Sequence, residues 1–329
     1  MLSRVADSLY WISRYMERAE NVARFVDVNI HMALDVPGDS GTQWQPLVDA
    51  SGDRESFQVR YGAASRDNVI RFLTFDETNP NSILSCIRTV RENARWIRQF
   101  ITLEMWEQIN EFYLMMEGAS TKKMDRHAAH DFLEDVMMAS QLFSGITDAT
   151  MSHGEGWHFC RLGRMLERAD KTSRILDVKY FHLFPSPDFV RTPFDDILWA
   201  AVLRSISALE MYRKQHHQIL PAAVLDFLIL DREFPRAIHH CAIVAEESLR
   251  AISGTPGATF HNQAERLLGK LRSELDYTQV EEIIDGGVHE FLDGVQARLN
   301  AVGAAVQETF FALRPLAGAP GGQVRRAAE

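Results

Sequence analysis

Two Glu-Arg pairs, Glu17-Arg18 and Glu167-Arg168, stand 150 residues apart and carry the side chains best suited to chemistry. A guanidinium group binds a carboxylate or phosphate through two parallel hydrogen bonds, and a neighbouring glutamate can orient it or accept a proton. Helical spacing places further polar residues on the face of each pair, and Asp170 is included because the acidic charge at its position recurs in the first copy. The candidate binding cluster comprises Arg14, Glu17, Arg18, Asn21, Arg164, Glu167, Arg168 and Asp170.

Three interpretations of this charged face follow from its composition. Mixed charges on a helix most often form a solvated surface. Alternatively, the Glu and Arg side chains form partly buried, hydrogen-bonded pairs between two halves of the chain. In the third interpretation the arginines hold a carboxylate, a phosphate or an acidic segment of a partner, while Glu17 and Glu167 orient them. The spacing does not separate the second interpretation from the third.

A second basic feature, the arginine stripe, consists of Arg88, Arg91, Arg95 and Arg98. Their spacing of three and four residues places them on one helix face. Like charges on one face are unfavourable unless an anion or acidic groups compensate them, and Glu92 is the nearest local partner. The stripe is therefore predicted to be either a binding site for an anion or acidic partner, or a plain solvated face.

Metal and cofactor sites have weak support in the sequence. His127, His130 and Glu134 share a helix face, and Glu155-x-x-His158 has the spacing of a ligand pair in ferritin-like proteins. Such a di-iron site needs two pairs of this kind and two further glutamates, and only one pair is present. No phosphate-binding loop, nucleophile elbow or Cys/His dyad occurs. We therefore predict no metal ion and no cofactor.

Composition excludes several classes of protein. Charged residues make up 24% and hydrophobic residues 46% of the chain, and the net charge of -10 argues against binding nucleic acid through its phosphates. The first residues, MLSRVADSLYW, contain Arg4 and Asp7 before any apolar run develops, which is not the pattern of a signal peptide. The most apolar stretch, LPAAVLDFLIL, is too short to span a bilayer. Three cysteines without a CxxC pair favour a reducing compartment. The expectation is a cytoplasmic protein with no membrane and no nucleic-acid partner.

Helices are predicted throughout, because apolar residues recur at three- and four-residue spacing and alternating β-type runs are missing. In the first part of the chain the predicted helices cover about residues 3–31, 43–60, 65–73, 80–100, 103–117 and 125–151. Pro80 suits a first helical position, with Asn79 before it as the cap. The fold class is therefore predicted to be all-α.

An internal repeat gives the domain organisation. RYMERAENVARFVDV aligns with RMLERADKTSRILDV, 150 residues later, with seven of fifteen positions identical. Two further blocks match in the same order at offsets of 155 and 159, and one of them pairs Cys86 with Cys241. We therefore predict two tandem diverged helical repeats, residues 1–151 and 152–314, packed into one bundle-like unit. A disordered tail is predicted over residues 315–329.

The chain resembles the alpha-E domain family of bacterial all-helical proteins, which is named for its Glu-Arg motifs. The resemblance rests on DSLYWISRYMERAENVARFVDV, on NPNSILSCIRTVRENAR with EMWEQIN after it, and on GRMLERADKTSRILDV, and it extends to about residue 314. It implies an association with a circularly permuted ATP-grasp ligase and a transglutaminase-like peptidase, sometimes with a proteasome-like peptidase, encoded beside the family or fused to it. Such associations suggest a system that forms peptide or amide bonds.

The leading functional expectation is a non-catalytic helical partner of an ATP-grasp amide ligase, which holds the ligase, its acidic peptide substrate, or both. The second is an enzyme in which a glutamate of the cluster acts as base and an arginine stabilises an oxyanion. Because no nucleophile or metal set accompanies the cluster, catalysis is disfavoured. The third is a structural dimerisation module, since the sequence leaves the oligomeric state open.

Overall fold

The computed structural model describes residues 1–35, 40–120, 126–183, 193–257 and 259–312, and the tail predicted to be disordered lies outside them. All regular structure within these residues is helical, as predicted. The helices up to residue 150 are α1 Ser3–Asp35, α2 Ser40–Ser51, α3 Arg54–Tyr61, α4 Arg66–Thr74, α5 Ile83–Trp96, α6 Leu103–Ser120 and α7 Arg126–Thr150. Those after it are α8 Glu155–Leu183, α9 Pro193–Ser205, α10 Leu209–Gln215, α11 Pro221–Ile229, α12 Ile238–Ser253, α13 Gln263–Tyr277, α14 Val280–Gly286 and α15 Val288–Val306.

Two long helices, α1 and α8, pack against each other and organise the rest of the molecule. Helices α5 and α7 cover α1, whereas α12 and α15 cover α8. In an outer layer α6 packs against α5 and α7, and α13 packs in the same way against α12 and α15. Because α2 reaches across to α8 and α9 reaches across to α1, the helices before and after α7 share one hydrophobic core.

A glycine allows the two long helices to approach closely. A Cβ atom at Gly163 of α8 would lie 2.4 Å from the carbonyl oxygen of Tyr10 in α1. This distance is too short for a van der Waals contact, so the helices would have to move apart to accommodate any side chain. The position therefore has room only for a hydrogen, and it sets the spacing of the helices that carry the Glu-Arg pairs.

The structure corrects two of the predicted helix boundaries. Helix α5 begins at Ile83, where the Ser82 hydroxyl accepts a hydrogen bond from the backbone N–H of Ser85 at 3.1 Å, and Pro80 lies in the preceding turn. Serine is a favoured N-cap for this reason. The predicted helix that contained Gly52 is broken there into α2 and α3, because Gly52 adopts a φ of 80°, which glycine adopts more easily than other residues.

The apolar face of α1 is buried, as its spacing predicts. Ile12, Met16, Ala19, Ala23 and Val26 are each at most 2% exposed. Within the described residues, none of the helices combines the length and the apolar character needed to cross a membrane.

Candidate functional site

Glu17 and Glu167 each bind an arginine of the opposite long helix. The Arg168 guanidinium donates to both carboxylate oxygens of Glu17, from Nε at 2.9 Å and from Nη2 at 2.7 Å. Arg18 binds Glu167 in the same way, from Nε at 2.6 Å and from Nη2 at 3.0 Å. The two Glu-Arg pairs of the sequence therefore exchange partners, and each forms a bidentate ion pair across the contact between α1 and α8.

Glu17 is enclosed by donors on three sides. It accepts hydrogen bonds from Asn21 Nδ2 at 2.9 Å and Arg236 Nη1 at 3.0 Å in addition to those from Arg168, and only 1% of its side chain is exposed. Burial by itself would raise the pKa of Glu17, but the positive charges of Arg168 and Arg236 outweigh that effect and lower the pKa to about 2. Glu17 is therefore ionised at neutral pH.

Glu167 has an equivalent environment. Arg14 Nε donates to it at 2.8 Å, the ammonium group of Lys171 lies 3.6 Å away, and none of its side chain is exposed. Burial again opposes ionisation, but the charges of Arg18 and Arg14 hold the pKa of Glu167 well below its usual range.

This burial excludes one of the three interpretations of the charged face. Two carboxylates with exposed fractions of 1% and 0% do not belong to a solvated surface. Their geometry matches that of buried ion pairs between the parts of the chain before and after residue 151. A carboxylate that is held ionised and surrounded by N–H donors is also a poor general base, because its affinity for a proton is low.

Glu17, Glu167 and the arginines bound to them form a Glu-Arg network, and further acidic residues extend it on both long helices. Glu20 accepts hydrogen bonds from Arg24 Nε at 3.1 Å and from Arg236 Nη2 at 2.5 Å. Asp170 accepts from Arg174 Nε at 2.9 Å. Burial would raise the pKa of Asp170, but the neighbouring cations, Lys171 first among them, lower it. The acidic charge that recurs between Glu20 and Asp170 in the sequence therefore serves to hold an arginine one turn later.

Arg24 and Arg174 lie one helical turn after Glu20 and Asp170, and each extends toward a turn that contains a residue with positive φ. Arg24 Nη1 donates to the hydroxyl of Ser207, which has a φ of 54° and is the one non-glycine residue with positive φ in the described part of the chain. A Cβ atom at Gly52, where φ is 80°, would lie 3.9 Å from Arg174 Nη1. The turn after α2 thus faces α8, and the turn after α9 faces α1.

Among the arginines of the predicted cluster, Arg164 is the one without an ion pair to Glu17 or Glu167. Its Nη2 lies 3.6 Å from Asp148, and its Nε is buried without a hydrogen-bond partner among the described residues. It lines a cavity of about 10 Å³ together with Ser140, whose hydroxyl likewise has no partner there. The cavity has the size and polarity to hold a single water molecule.

Arg236 is the central residue that the sequence analysis missed. It binds both Glu17 and Glu20 and is 8% exposed. The sequence alignment contained a sign of it, because position 236 aligns with Asn81 at an offset of 155, and Asn81 accepts a hydrogen bond from Arg18 Nη1 at 2.7 Å. The two residue types differ, so a comparison of identities overlooks the pair.

The arginine stripe begins with two residues that have partners. Arg88 donates to Glu77 at 2.9 Å and to Glu117 at 3.2 Å. Arg91 Nε donates to Asn110 at 2.9 Å. These partners lie in the turn before α5 and on α6, so a helical wheel of α5 alone does not show them.

The other two members of the stripe are held less firmly. Arg95 is 71% exposed, and its closest carboxylate oxygen, on Glu92, is 3.9 Å away. The guanidinium of Arg98 lies over the ring of Trp106, 5.5 Å from its centre. The stripe is thus partly compensated by this chain's own side chains, and Arg95 is its most exposed member.

His130 and His289 each lie beside an aspartate of a long helix. His130 Nδ1 lies 2.7 Å from Asp27 Oδ1, and His289 Nδ1 lies 2.6 Å from Asp177 Oδ1. Of the metal-binding set considered from the sequence, the side chain of His127 lies outside the described residues. The Asp27 pair thus joins α7 to α1, and the Asp177 pair joins α15 to α8.

Two long paired helices whose buried glutamates bind arginines across their contact define an all-helical protein with an internal Glu-Arg network. The chain belongs to the Alpha-E family, described as a predicted alpha-helical domain with a conserved ER motif, whose model matches residues 1–311. Glu17-Arg18 and Glu167-Arg168 are the two Glu-Arg pairs on the long helices.

Relatives of this chain are longer proteins. It is 25% identical to an uncharacterized protein of Mycobacterium bovis, over 94% of this chain and 37% of that protein. It is 24% identical to an uncharacterized protein of Mycobacterium tuberculosis, over the same shares of the two chains. The chain therefore spans little more than a third of the length of these curated relatives. No solved structure matches it.

Proposed function

We propose that this protein is a non-catalytic helical partner of an ATP-grasp amide ligase, and that it binds the ligase or the ligase's acidic peptide substrate. A transglutaminase-like protein of the same system is a further proposed partner, and the cytoplasm is the proposed compartment. The class of partner follows from the family resemblance. The structure contributes a reason to place the function on the surface of the molecule.

The Glu-Arg network favours a scaffold over a catalyst. Glu17 and Glu167 are buried, ionised and fully engaged by arginines of this chain, so they offer no free base. Glu17 holds α1 to α8 and, through Arg236, to the turn before α12. The family motif therefore holds the helices together as a rigid platform, and the partner is expected to bind exposed residues instead.

The observation that carries the proposal is an exposed corner between α5 and α6. Trp96 at the end of α5 is 76% exposed, although large aromatic side chains are usually buried. The corner surface is made of Arg95, Trp96, Arg98, Phe100 and Leu103. Tryptophan and arginine are the residues most enriched in binding hot spots, and the two arginines suit an acidic partner.

The length of the relatives supports a role as one module among several. In the mycobacterial proteins the region similar to this chain occupies 37% of the polypeptide, so in them it is joined to a larger part of a different sequence. A helical platform that acts beside another protein, or fused to it, fits this arrangement.

The architecture is proposed to be two tandem diverged repeats, residues 1–151 and 152–314, in one bundle-like unit. In support, α5 and α7 pack on α1 with α6 outside them, and α12 and α15 pack on α8 with α13 outside them, in the same order along the chain. The exchanged Glu-Arg pairs and the two Asp-His pairs also correspond at the offsets found in the sequence. A dimerisation module is less well supported, because the faces of α1 and α8 that would pair are already buried within one chain.

The test is titration calorimetry of the whole protein with an ATP-grasp ligase of the proposed system from the same organism, and separately with a glutamate-rich peptide, at two salt concentrations. The variant Arg95→Ala/Trp96→Ala is expected to weaken ligase binding by at least about tenfold, as loss of a hot spot does. The affinity of the wild type should fall with added salt, since salt screens the attraction between exposed charges.

A matched control removes an exposed aromatic residue and an arginine elsewhere. Arg266→Ala/Tyr277→Ala changes α13, where Tyr277 is 83% exposed, and should bind like the wild type. If both double variants bind equally well, the corner surface is not the docking site. Formation or cleavage of an amide bond by the purified protein alone, abolished in Glu17→Gln, would replace the scaffold with an enzyme.

A further inference from the structure

We propose that Asp27, His31 and His130 bind one divalent transition-metal ion at the wall of a cavity between α1, α7 and α9. None of the three ligands belongs to the Glu-Arg network, and the inference does not depend on the proposed ligase partner.

The three side chains converge from two helices. Asp27 and His31 lie one turn apart on α1, and His130 approaches them from α7. Asp27 Oδ1 is 2.7 Å from His130 Nδ1 and 3.7 Å from His31 Nδ1. One ligand atom from each residue can be chosen so that all three lie within 4.8 Å of one another, and no other group of three potential ligands in the described part of the chain meets that condition.

These separations fit the coordination sphere of a metal ion. Zinc binds histidine nitrogen and carboxylate oxygen at about 2.0–2.2 Å, so two ligands of one ion lie about 3.0 Å apart at right angles and about 3.4 Å apart at the tetrahedral angle. The observed distances of 2.7 and 3.7 Å lie on either side of that range. The ligand nitrogens of His31 and His130 can be chosen within 4.8 Å of each other, so the two histidine side chains have to turn toward the Asp27 carboxylate for all three ligands to surround one ion.

The donor set indicates the class of metal. Two imidazoles and one carboxylate suit zinc, iron, cobalt, nickel or manganese, whereas calcium and magnesium prefer oxygen ligands. Three protein ligands leave at least one coordination position open. Asp27 and His31 line a cavity of about 370 Å³, and Arg24 and Arg204 line it as well. The open position would face this cavity, where a water molecule or an anionic group could complete the coordination.

A second Asp-His pair, Asp177 and His289, shows that His31 distinguishes the proposed metal site from a simple Asp-His pair. Asp177 and His289 are as close as Asp27 and His130, at 2.6 Å. The position 150 residues after His31 is Phe181, so the third ligand is missing from the sequence there. An Asp-His pair between a long helix and the helix covering it therefore recurs without a histidine at the position aligned with His31, and His31 is the residue that turns the first pair into a set of three.

The experiment titrates the full chain, stripped with EDTA, with Zn²⁺ by calorimetry and with Co²⁺ by its visible absorption. The wild type should bind one ion at this site. His31→Phe, which reproduces the residue found at position 181, and His130→Ala should each lower the affinity at least tenfold. His289→Ala is the matched control and should bind like the wild type.

His31 is a suitable residue to change because 53% of its side chain is exposed, so the variant should fold normally, as circular dichroism would verify. The proposal is overturned if the wild type takes up no stoichiometric ion, if His31→Phe binds as tightly as the wild type, or if His289→Ala loses as much affinity as His130→Ala.

Discussion

Glu167 keeps both carboxylate oxygens within hydrogen-bonding distance of guanidinium groups on α1. Removing charges from water costs several kcal/mol per ion, and the attraction between them offsets this cost only if the geometry is good and every polar atom is engaged. Both Glu17 and Glu167 meet that condition. The network is therefore sensitive to the loss of one member, because the charges that remain would be buried without partners.

Replacement of Glu167 by alanine should destabilise the protein by about 3–5 kcal/mol, the cost of leaving buried arginines unpaired. Glu117→Ala is the control, because it removes a carboxylate from a pair with Arg88 in which the side chains are 38% and 39% exposed. Exposed pairs contribute about 0–1 kcal/mol. Urea denaturation of both variants measures the difference, and equal midpoints would show that the network does not hold the helices together.

The low pKa of Glu17 predicts how stability depends on pH. The pKa is about 2 in the folded protein and 4.5 in the reference state that stands for the unfolded chain, so the folded state binds protons less readily. Its contribution to stability is fully present above pH 4.5 and is lost as the pH falls toward 2. The difference in unfolding free energy between wild type and Glu17→Gln should therefore be large at pH 7 and shrink across this window. A difference that is constant with pH would contradict the assignment.

At the scale of single helices, periodicity predicted one side of α1 correctly and left the other undecided. The apolar face is buried because its spacing is that of a helix. The charged face is buried as well, because α8 and the turn before α12 cover it, and a helical wheel contains no information about neighbouring helices. The same reason explains why the wheel of α5 did not show Glu77 and Glu117 beside Arg88.

The contact between α1 and α8 depends on a single glycine. Gly163→Ala would place a Cβ atom 2.4 Å from the Tyr10 carbonyl oxygen, which is backbone and cannot rotate away. The helices would have to separate, which weakens the Glu-Arg pairs between them, and overpacking of this kind costs about 1–3 kcal/mol. A lower midpoint in thermal and urea denaturation is expected.

Gly145 provides the comparison for this variant. It lies in α7, is exposed, and has no atom within 4 Å of an added Cβ. Alanine is favoured over glycine inside a helix by about 1 kcal/mol, so Gly145→Ala should leave stability unchanged or raise it. If Gly163→Ala is as stable as Gly145→Ala, the close approach does not limit the helix spacing.

At the scale of the whole molecule, the sequence predicted the helical class, and it left open which of the charged residues contact one another. The matching blocks aligned Glu17-Arg18 with Glu167-Arg168, but an alignment does not show that each glutamate binds the arginine of the other long helix. The reach of α2 to α8 and of α9 to α1 is likewise a property of tertiary packing. Arg236 was overlooked because it corresponds to a residue of a different type.

This exchange of partners leads to the prediction that neither half folds alone. In a fragment of residues 1–151, Glu17 would lack Arg168 and Arg236, and in a fragment of residues 152–314, Glu167 would lack Arg14 and Arg18. The apolar surfaces of α1 and α8 that touch each other would also be exposed to water. Each separate fragment should therefore show no cooperative thermal transition by circular dichroism, whereas the two expressed together should co-purify and unfold in one step.

Cleaving the chain between α7 and α8 while both fragments stay together tests whether the loss of stability comes from the break in the chain or from the loss of the other fragment. Residues 152–154 between α7 and α8 are exposed, so a protease site inserted there should be cleaved without disturbing either helix. The nicked protein keeps every Glu-Arg pair, and it should elute as one species and melt within a few degrees of the intact chain. A monomeric fragment of residues 1–151 that melts cooperatively near the temperature of the whole protein would show that each half has its own sufficient core, and that the exchanged ion pairs join two independent domains.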